Sequence, residues 1–240
     1  MFTLASIWWP WGVMAAMAGW SVISFVISQA LGIKRTLKRA QSVAAAAQEL
    51  GFTFTAYTND PKSVPRVETE LFQKAMGADF HNLMTGNYAG LDAQVFDYSC
   101  TTGNPGNSRT SAQTVAVYTR NVDLPRFMLQ PGSLAVKIID ALQNQRVELN
   151  CPPGVSCHYA VHGADKERIR SLFNSGLISF IEGLDRSKAW HIEGAGKTLV
   201  LYRYGRRVKP TELRDFLQET SSIAQSFFAL SGAKAASVSA

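Results

Sequence analysis

The chain has 240 residues, and 24 basic against 18 acidic side chains give it a formal net charge of +6. Four of the basic residues lie together at positions 34–39, and without them 20 basic residues stand against 18 acidic ones. Because the excess is local, it argues against a nucleic-acid partner. Three cysteines, an odd and sparse number, exclude a disulfide-rich scaffold and are typical of a reducing compartment.

The first predicted element is a transmembrane helix over about residues 11–31, within an N-terminal segment, 1–33, that has no charged side chain. Such an apolar run forms a helix about 31 Å long, close to the roughly 30 Å hydrocarbon core of a bilayer. The basic residues follow it directly, whereas the N-terminal flank has none. Because the positively charged flank stays inside, we expect the N-terminus outside and the C-terminal domain in the cytoplasm.

A cleaved signal peptide is the alternative to a retained anchor. It requires a basic start followed by an apolar run of about 7–15 residues. The residues before the apolar run include no Lys or Arg, and the run itself is longer. The sequence therefore favours a single-pass membrane protein.

A basic juxtamembrane helix is predicted over residues 34–50. Apolar residues recur in it at three- and four-residue spacing, and Gly51 is a typical terminator. We expect its apolar side to pack on the following domain, through Val43, Ala47 and Leu50. Its basic side should lie on anionic lipid headgroups, where each cation contributes about 1 kcal/mol. This predicts a membrane-surface site formed by Lys34, Arg35, Lys38 and Arg39.

Residues 51–231 are predicted to form one α+β domain, an antiparallel sheet of meanders and hairpins with amphipathic helices packed on one face. Alternating β-branched and aromatic residues mark four strands, and a loop with two prolines follows the first of them. Turn-forming residues mark a longer hairpin loop. The strands are expected at 52–57, 80–85, 92–100 and 112–120, the proline loop at 58–68 and the hairpin loop at 101–111.

The second half of the domain continues in the same style. An extended segment at 124–131 and a short helix around 134–142 lead to a strand at 158–163 and a helix capped by Asp165. Residues 190–194 and 198–204 are predicted to form a hairpin around Ala195 and Gly196, before a final helix opened by Pro210. The tail, 232–240, is expected to be disordered.

The segment GAGKT at 194–198 imitates the end of a phosphate-binding loop. That motif requires a glycine where this chain has His191, and a helix after the lysine. Since a strand follows here, nucleotide binding is not predicted, and no cofactor is expected.

A cluster of possible zinc ligands spans twelve residues. Its spacing, C-x5-C-H-x3-H, matches no usual zinc module, so no metal site is predicted. The two cysteines bracket the loop CPPGVSC and could pair if the domain were exported. The candidate ligands are Cys151, Cys157, His158 and His162.

Asp97 could act as a general base, because it lies between Phe96 and Tyr98 in a strand that is otherwise apolar, and His81 and Asp92 are neighbouring candidates. A carboxylate in such a place more often accepts hydrogen bonds or faces solvent. No nucleophile motif accompanies it, and we predict no catalytic residue. A second basic cluster, Arg203, Arg206, Arg207 and Lys209, is interpreted as a solvated turn.

Short motifs of the strand segments resemble an uncharacterised family of bacterial proteins. The resemblance extends from about Leu50 to Leu217 and implies an N-terminal membrane helix, a cytoplasmic α+β domain and a bacterial source, with no known activity. Members often have Glu where this chain has Gly132, and this departure weakens any role for an acid there. The matching residues are Asn82, Leu83, Gly86, Phe96, Asp97, Tyr98, Thr114, Val115, Leu124, Pro125, Phe127, Leu129, Pro131, Tyr159, Gly163, Leu172 and Phe173.

Taken with the membrane segment, this favours a non-enzymatic interaction domain tethered to the bacterial inner membrane. The expected partners are the lipid bilayer, anionic headgroups and another membrane protein. The alternative is a membrane-tethered enzyme with an acid/base site at Asp97 or a metal site at Cys157 and His162.

Overall fold

Residues 32–57, 69–73, 77–104, 106–132, 145–150 and 157–237 are described by the structure, a computed structural model. The chain divides into two compact units, Met1–Val43 and Ala44–Ala240. No helix in the described ranges is long and apolar enough to cross a membrane. The predicted transmembrane segment at 11–31 lies outside those ranges, as do the predicted loop at 58–68 and the predicted helix around 134–142.

Helix α1 comprises residues 32–49, in agreement with the helix predicted at 34–50. Gly51 follows it with φ of +76°, a left-handed conformation that glycine adopts without strain. The Phe52 N–H donates to the Ala47 carbonyl at 2.8 Å, which satisfies one of the last helical acceptors. Ala47 is buried and Leu50 half-buried.

A seven-stranded sheet confirms the predicted antiparallel α+β class. Its order is β1-β2-β3-β4-β6-β5, and β7 pairs with β4. Every pairing in it is antiparallel. The strands are β1 (Thr53–Tyr57), β2 (Gly77–Tyr88), β3 (Leu91–Asn104), β4 (Asn107–Pro131), β5 (Arg146–Val147), β6 (Tyr159–His162) and β7 (Trp190–Arg203).

Strand β4 is the centre of the sheet and runs for 25 residues. The sequence predicts two separate segments here, 112–120 and 124–131, but the strand is continuous. Its register against β7 shifts between Thr119 and Leu124 and again before Phe127. Such irregularities bend a strand without ending it. The bend lets β4 pair with β3 in its first half and with β6 at its end.

Two predicted loops are shorter or absent. The hairpin loop expected at 101–111 is mostly paired strand, since Thr101 faces Thr110 and Asn104 faces Asn107. The hairpin expected around Ala195 and Gly196 is wrong, because both arms belong to β7. Gly196, at φ of +56°, lies opposite Leu124. Its left-handed conformation therefore kinks the strand and does not reverse the chain.

Helices cover both faces of the sheet, whereas the sequence predicts them on one. On one face, the Tyr118 hydroxyl bonds to Thr220 Oγ1 at 2.8 Å, and Phe127 packs edge-on against Phe173 at 5.1 Å. On the other face, Phe72 meets the ring of Tyr98 at 5.3 Å. The helices are α2 (Glu70–Gln73), α3 (Lys166–Leu172), α4 (Ser175–Glu182) and α5 (Leu213–Ser237).

Local capping follows the sequence. Asp165 Oδ1 accepts from the Arg168 N–H at 3.1 Å at the start of α3, as predicted. Pro210 begins a short 3₁₀ turn, Pro210–Glu212, that leads directly into α5. Helix α5 extends to Ser237 and therefore continues past Gly232, where the sequence predicts a disordered tail.

Candidate functional site

Asp97 is a structural acid in the middle of the sheet. Its side chain is 2% exposed, and it accepts hydrogen bonds from Asn82 Nδ2 at 2.8 Å and Thr114 Oγ1 at 2.9 Å. Thr114 Oγ1 in turn accepts from the Val208 N–H at 2.9 Å. The carboxylate thus ties three strands, β2, β3 and β4, to the segment before α5. These bonds occupy both oxygens that a general base would offer to a substrate.

The candidate zinc ligands, for which the sequence predicts no metal site, lie in different chemical surroundings. Cys157 is disulfide-bonded, Cys100 is free and buried, and Cys151, the remaining cysteine of the sequence, lies outside the described residues. A disulfide sulfur is no thiolate ligand. His158 Nδ1 pairs with Glu182 Oε2 at 3.0 Å, while His162 is buried at the end of β6. Among the described residues, no group of three or more His, Cys, Asp or Glu is placed to hold a metal ion.

The GAGKT segment lies within β7, paired along its length with β4. No helix follows Lys197, whose side chain is exposed. The second basic cluster forms the turn between β7 and α5, as predicted. Within it, Arg203 is half-buried over the ring of Trp190 at 5.4 Å, and Lys209 pairs with Glu212 at 3.1 Å.

The predicted membrane-surface residues lie at the start of α1. Lys34, Arg35 and Lys38 are exposed, and Arg39 is half-buried. Two large apolar side chains among them, Ile33 and Leu37, are 60% and 58% exposed. Exposed apolar side chains beside cations are typical of a helix surface that lies at a lipid interface.

The site that the structure adds is a cavity of about 310 Å³ between α2 and the ends of β4 and β6. Met128 and His162 face each other across the β4–β6 pair and form part of its wall. Helix α2 lines the cavity from the face of the sheet that carries Tyr98. The residues lining this polar cavity are Glu70, Gln73, Arg126, Phe127, Met128, Gln145, His162, Gly163 and Ala164.

Arg126 is held at the mouth of the polar cavity by helix α2. Its Nη2 donates to Glu70 Oε1 at 2.9 Å and to Gln73 Oε1 at 2.6 Å. The Arg126 side chain is 42% exposed and that of Glu70 is 19% exposed. The ion pair therefore lies at a partly solvated surface, where it contributes little to the stability of the domain. Its main effect is to fix the orientation of the Arg126 guanidinium.

A buried acid fixes α2 on the sheet. Glu193, opposite Met128 on β7, is fully buried. Its carboxyl accepts from the Tyr202 hydroxyl at 2.6 Å and from the Leu71 N–H at 3.1 Å. Burial raises the pKa of the Glu193 carboxyl. Burial and the nearby Glu193 carboxylate both raise the pKa of the Tyr202 hydroxyl. The bond from the Leu71 N–H thus fixes α2, which lines the polar cavity, to a buried acid of the sheet.

Beside Tyr202 and Glu193 lie two buried side chains with polar atoms that have no hydrogen-bond partner. The β4–β7 register that places Met128 opposite Glu193 brings Gln130 beside His191. Both amide atoms of Gln130 and the Nε2 of His191 are unpartnered, although the side chains are 0% and 1% exposed. The His191 ring stacks on Tyr202 at 5.0 Å, and burial lowers its pKa to about 4.

Sequence reasoning missed this site. Its residues are spread from Glu70 to Ala164, and no motif connects them. The one local signal is Arg126, a lone cation inside the extended apolar segment 124–131. A charge in such a segment needs a partner or a solvated edge, and the structure supplies both.

Comparison with known proteins defines the fold. No protein-family model matches the chain, and no curated protein sequence is similar to it. The crystal structure of the mycobacterial trehalose monomycolate transport factor A, TtfA, is similar to this structure with a TM-score of 0.53 and 12% sequence identity. The match covers 80% of this chain and 93% of TtfA. At this identity the likeness shows a shared fold.

Proposed function

We propose that this chain is a single-pass membrane-anchored accessory protein whose α+β domain binds a component of a membrane transport system without catalysing a reaction. The observation that carries the proposal is the fold shared with TtfA over four fifths of the chain. That protein is a trehalose monomycolate transport factor. Tethering raises the concentration of the domain near a membrane partner, which suits an accessory role.

The anchoring part of the proposal rests on the apolar segment at 11–31 and on the start of α1. Exposed Ile33 and Leu37 beside Lys34, Arg35 and Lys38 are suited to the headgroup region. We place the protein in a bacterial inner membrane, with its N-terminus outside and its domain in the cytoplasm.

The enzymatic alternative finds less support in the side-chain chemistry. Asp97 and Glu193 are hydrogen-bonded within the fold, and the sulfur of Cys157 is oxidised. An interaction domain needs none of these groups to be reactive. The polar cavity beside α2 is lined by hydrogen-bonding side chains from separate segments of the chain.

One observation favours the opposite orientation. The disulfide at Cys157 is typical of an oxidising compartment outside the cytoplasm, whereas the basic flank after residue 33 is typical of the cytoplasmic side. A fusion at Ala240 decides between them. We expect a C-terminal fluorescent protein to fluoresce and a C-terminal phosphatase to be inactive. Phosphatase activity would place the domain outside and revive the cleaved signal peptide.

The partner is tested by cross-linking in cells, followed by capture of the full tagged chain from detergent-solubilised membranes. The matched control carries residues 1–50 fused to an unrelated soluble domain, so that the anchor is retained and the domain is lost. We expect a membrane transport protein to be enriched by the full chain alone. Equal enrichment with the control would contradict a binding role for the domain.

A further inference from the structure

The polar cavity beside α2 has the size of a small ligand. At about 310 Å³ it is at the lower end of known ligand pockets, which span roughly 300–1,000 Å³. Five of the lining residues carry hydrogen-bonding side chains, and they come from four separate segments of the chain: Glu70, Gln73, Arg126, Gln145 and His162. Such convergence of polar groups on a small volume is typical of a site that recognises a polar molecule.

The charges of the polar cavity balance. Arg126 and Glu70 form an ion pair at 2.9 Å, and the two glutamines are neutral. A phosphate or carboxylate ligand would have to displace Glu70 from Arg126 or lie beside an uncompensated acid. A neutral ligand requires neither change, because it can accept from the guanidinium and donate to the carboxylate of the existing pair.

The hydrogen-bonding groups also suit a ligand with many hydroxyls. A hydroxyl both donates and accepts, and the cavity offers a carboxylate acceptor, a guanidinium donor and amides that do both. Phe127 and Met128 add an apolar wall for the C–H face of a ring. The mixture of groups does not suit an acyl chain, which would leave the polar lining without partners.

We propose that this cavity binds a neutral sugar, either free or as the headgroup of a glycolipid. This inference adds the chemical class of the ligand to the proposed function. The role of the sugar in transport rests on that proposed function. The sugar lies between α2 and the ends of β4 and β6, with Arg126 and Glu70 bonding to its hydroxyls. Gln73 and Gln145 extend the same recognition to neighbouring hydroxyls.

Binding is tested with the full chain purified in a polyoxyethylene detergent, because maltoside detergents carry a competing sugar. The probes are glucose, trehalose and vesicles containing a glucosyl-diacylglycerol, and ligand-detected NMR measures the saturation transferred to the sugar protons. We expect saturable binding of at least one probe. Binding of the glucosyl-diacylglycerol vesicles, but not of matched vesicles without that lipid or of the free sugars, identifies a lipid headgroup as the ligand. Binding of the free sugars identifies the sugar itself.

Two variants locate the site. Ala164→Phe places a bulky ring in the cavity from an exposed position, and Arg126→Gln removes the central donor. Each should weaken binding by about tenfold or more, Ala164→Phe because the ring occupies the volume of the ligand and Arg126→Gln because a charged hydrogen bond is lost. The matched control is Arg168→Gln, because Arg168 also pairs with an acid, Asp123 at 2.9 Å, but does not line the cavity. It should bind like the wild type.

The proposal is overturned if no probe binds, or if binding survives Ala164→Phe in a folded protein. Its failure is distinct from failure of the proposed function. If cross-linked capture of the membrane partner persists while no sugar binds, the accessory role stands and the sugar site is rejected. If sugar binds at this cavity but the full chain captures no more than its anchor control, the sugar site stands and the accessory role is rejected.

Discussion

Replacing Asp97 by Ala should destabilise the domain strongly, because two buried donors lose their acceptor. Asn82 and Thr114 are 5% and 2% exposed, so water cannot replace the carboxylate. Each buried unpaired donor costs about 1–3 kcal/mol, so the two together predict a loss of roughly 2–6 kcal/mol in the free energy of unfolding. For a domain of this size, that corresponds to a fall in melting temperature of about 4–24 °C.

The assay is thermal unfolding of the detergent-solubilised full chain, followed by near-ultraviolet circular dichroism. Asp92→Ala is the matched control, since Asp92 is an exposed acid on the same strand, and it should change the stability by less than about 0.5 kcal/mol. Thr114→Val removes one donor of the same network and should cost less than Asp97→Ala. If Asp97→Ala unfolds within about 1 kcal/mol of the wild type, the network is not a stabilising element and Asp97 must be reconsidered as a reactive group.

The remaining predictions concern acid, nucleotide and lipid. Burial lowers the pKa of His191 from 6.5 to about 4. The free energy of unfolding should therefore be highest above pH 6.5 and fall by up to about 3 kcal/mol as the pH drops toward 4. Urea unfolding should show that His191→Phe removes this decline. Lys197→Ala should leave stability unchanged, and calorimetry should detect no saturable ATP binding with either chain; micromolar binding that Lys197→Ala abolishes would contradict this. A chain beginning at residue 34 should float with anionic vesicles at low salt, through about 4 kcal/mol of attraction that salt screens; flotation should be lost when Gln replaces Lys34, Arg35, Lys38 and Arg39.

Local chemistry made several elements predictable from the sequence. Gly51 ends α1, Asp165 caps α3 and Pro210 opens the turn before α5, because each effect depends on a few neighbouring residues. Alternation of apolar and polar residues predicted the antiparallel α+β class for the same reason. The prediction of a membrane-surface site likewise depended only on the four cations at positions 34–39 and the apolar residues next to them.

Only the tertiary structure decided how these elements combine. Proline at 124–131 and glycine at 194–196 suggested that strands end or the chain reverses there. Pairing with β7 and β6 instead keeps β4 continuous, and Gly196 forms a kink within β7. Asp97 became a structural acid because Asn82 and Thr114 reach it from neighbouring strands. The polar cavity brings Glu70 to Arg126, which are 56 residues apart. Contacts at such separation depend on the register of the whole sheet, which the burial of one strand face and the geometry of the turns set together across distant segments.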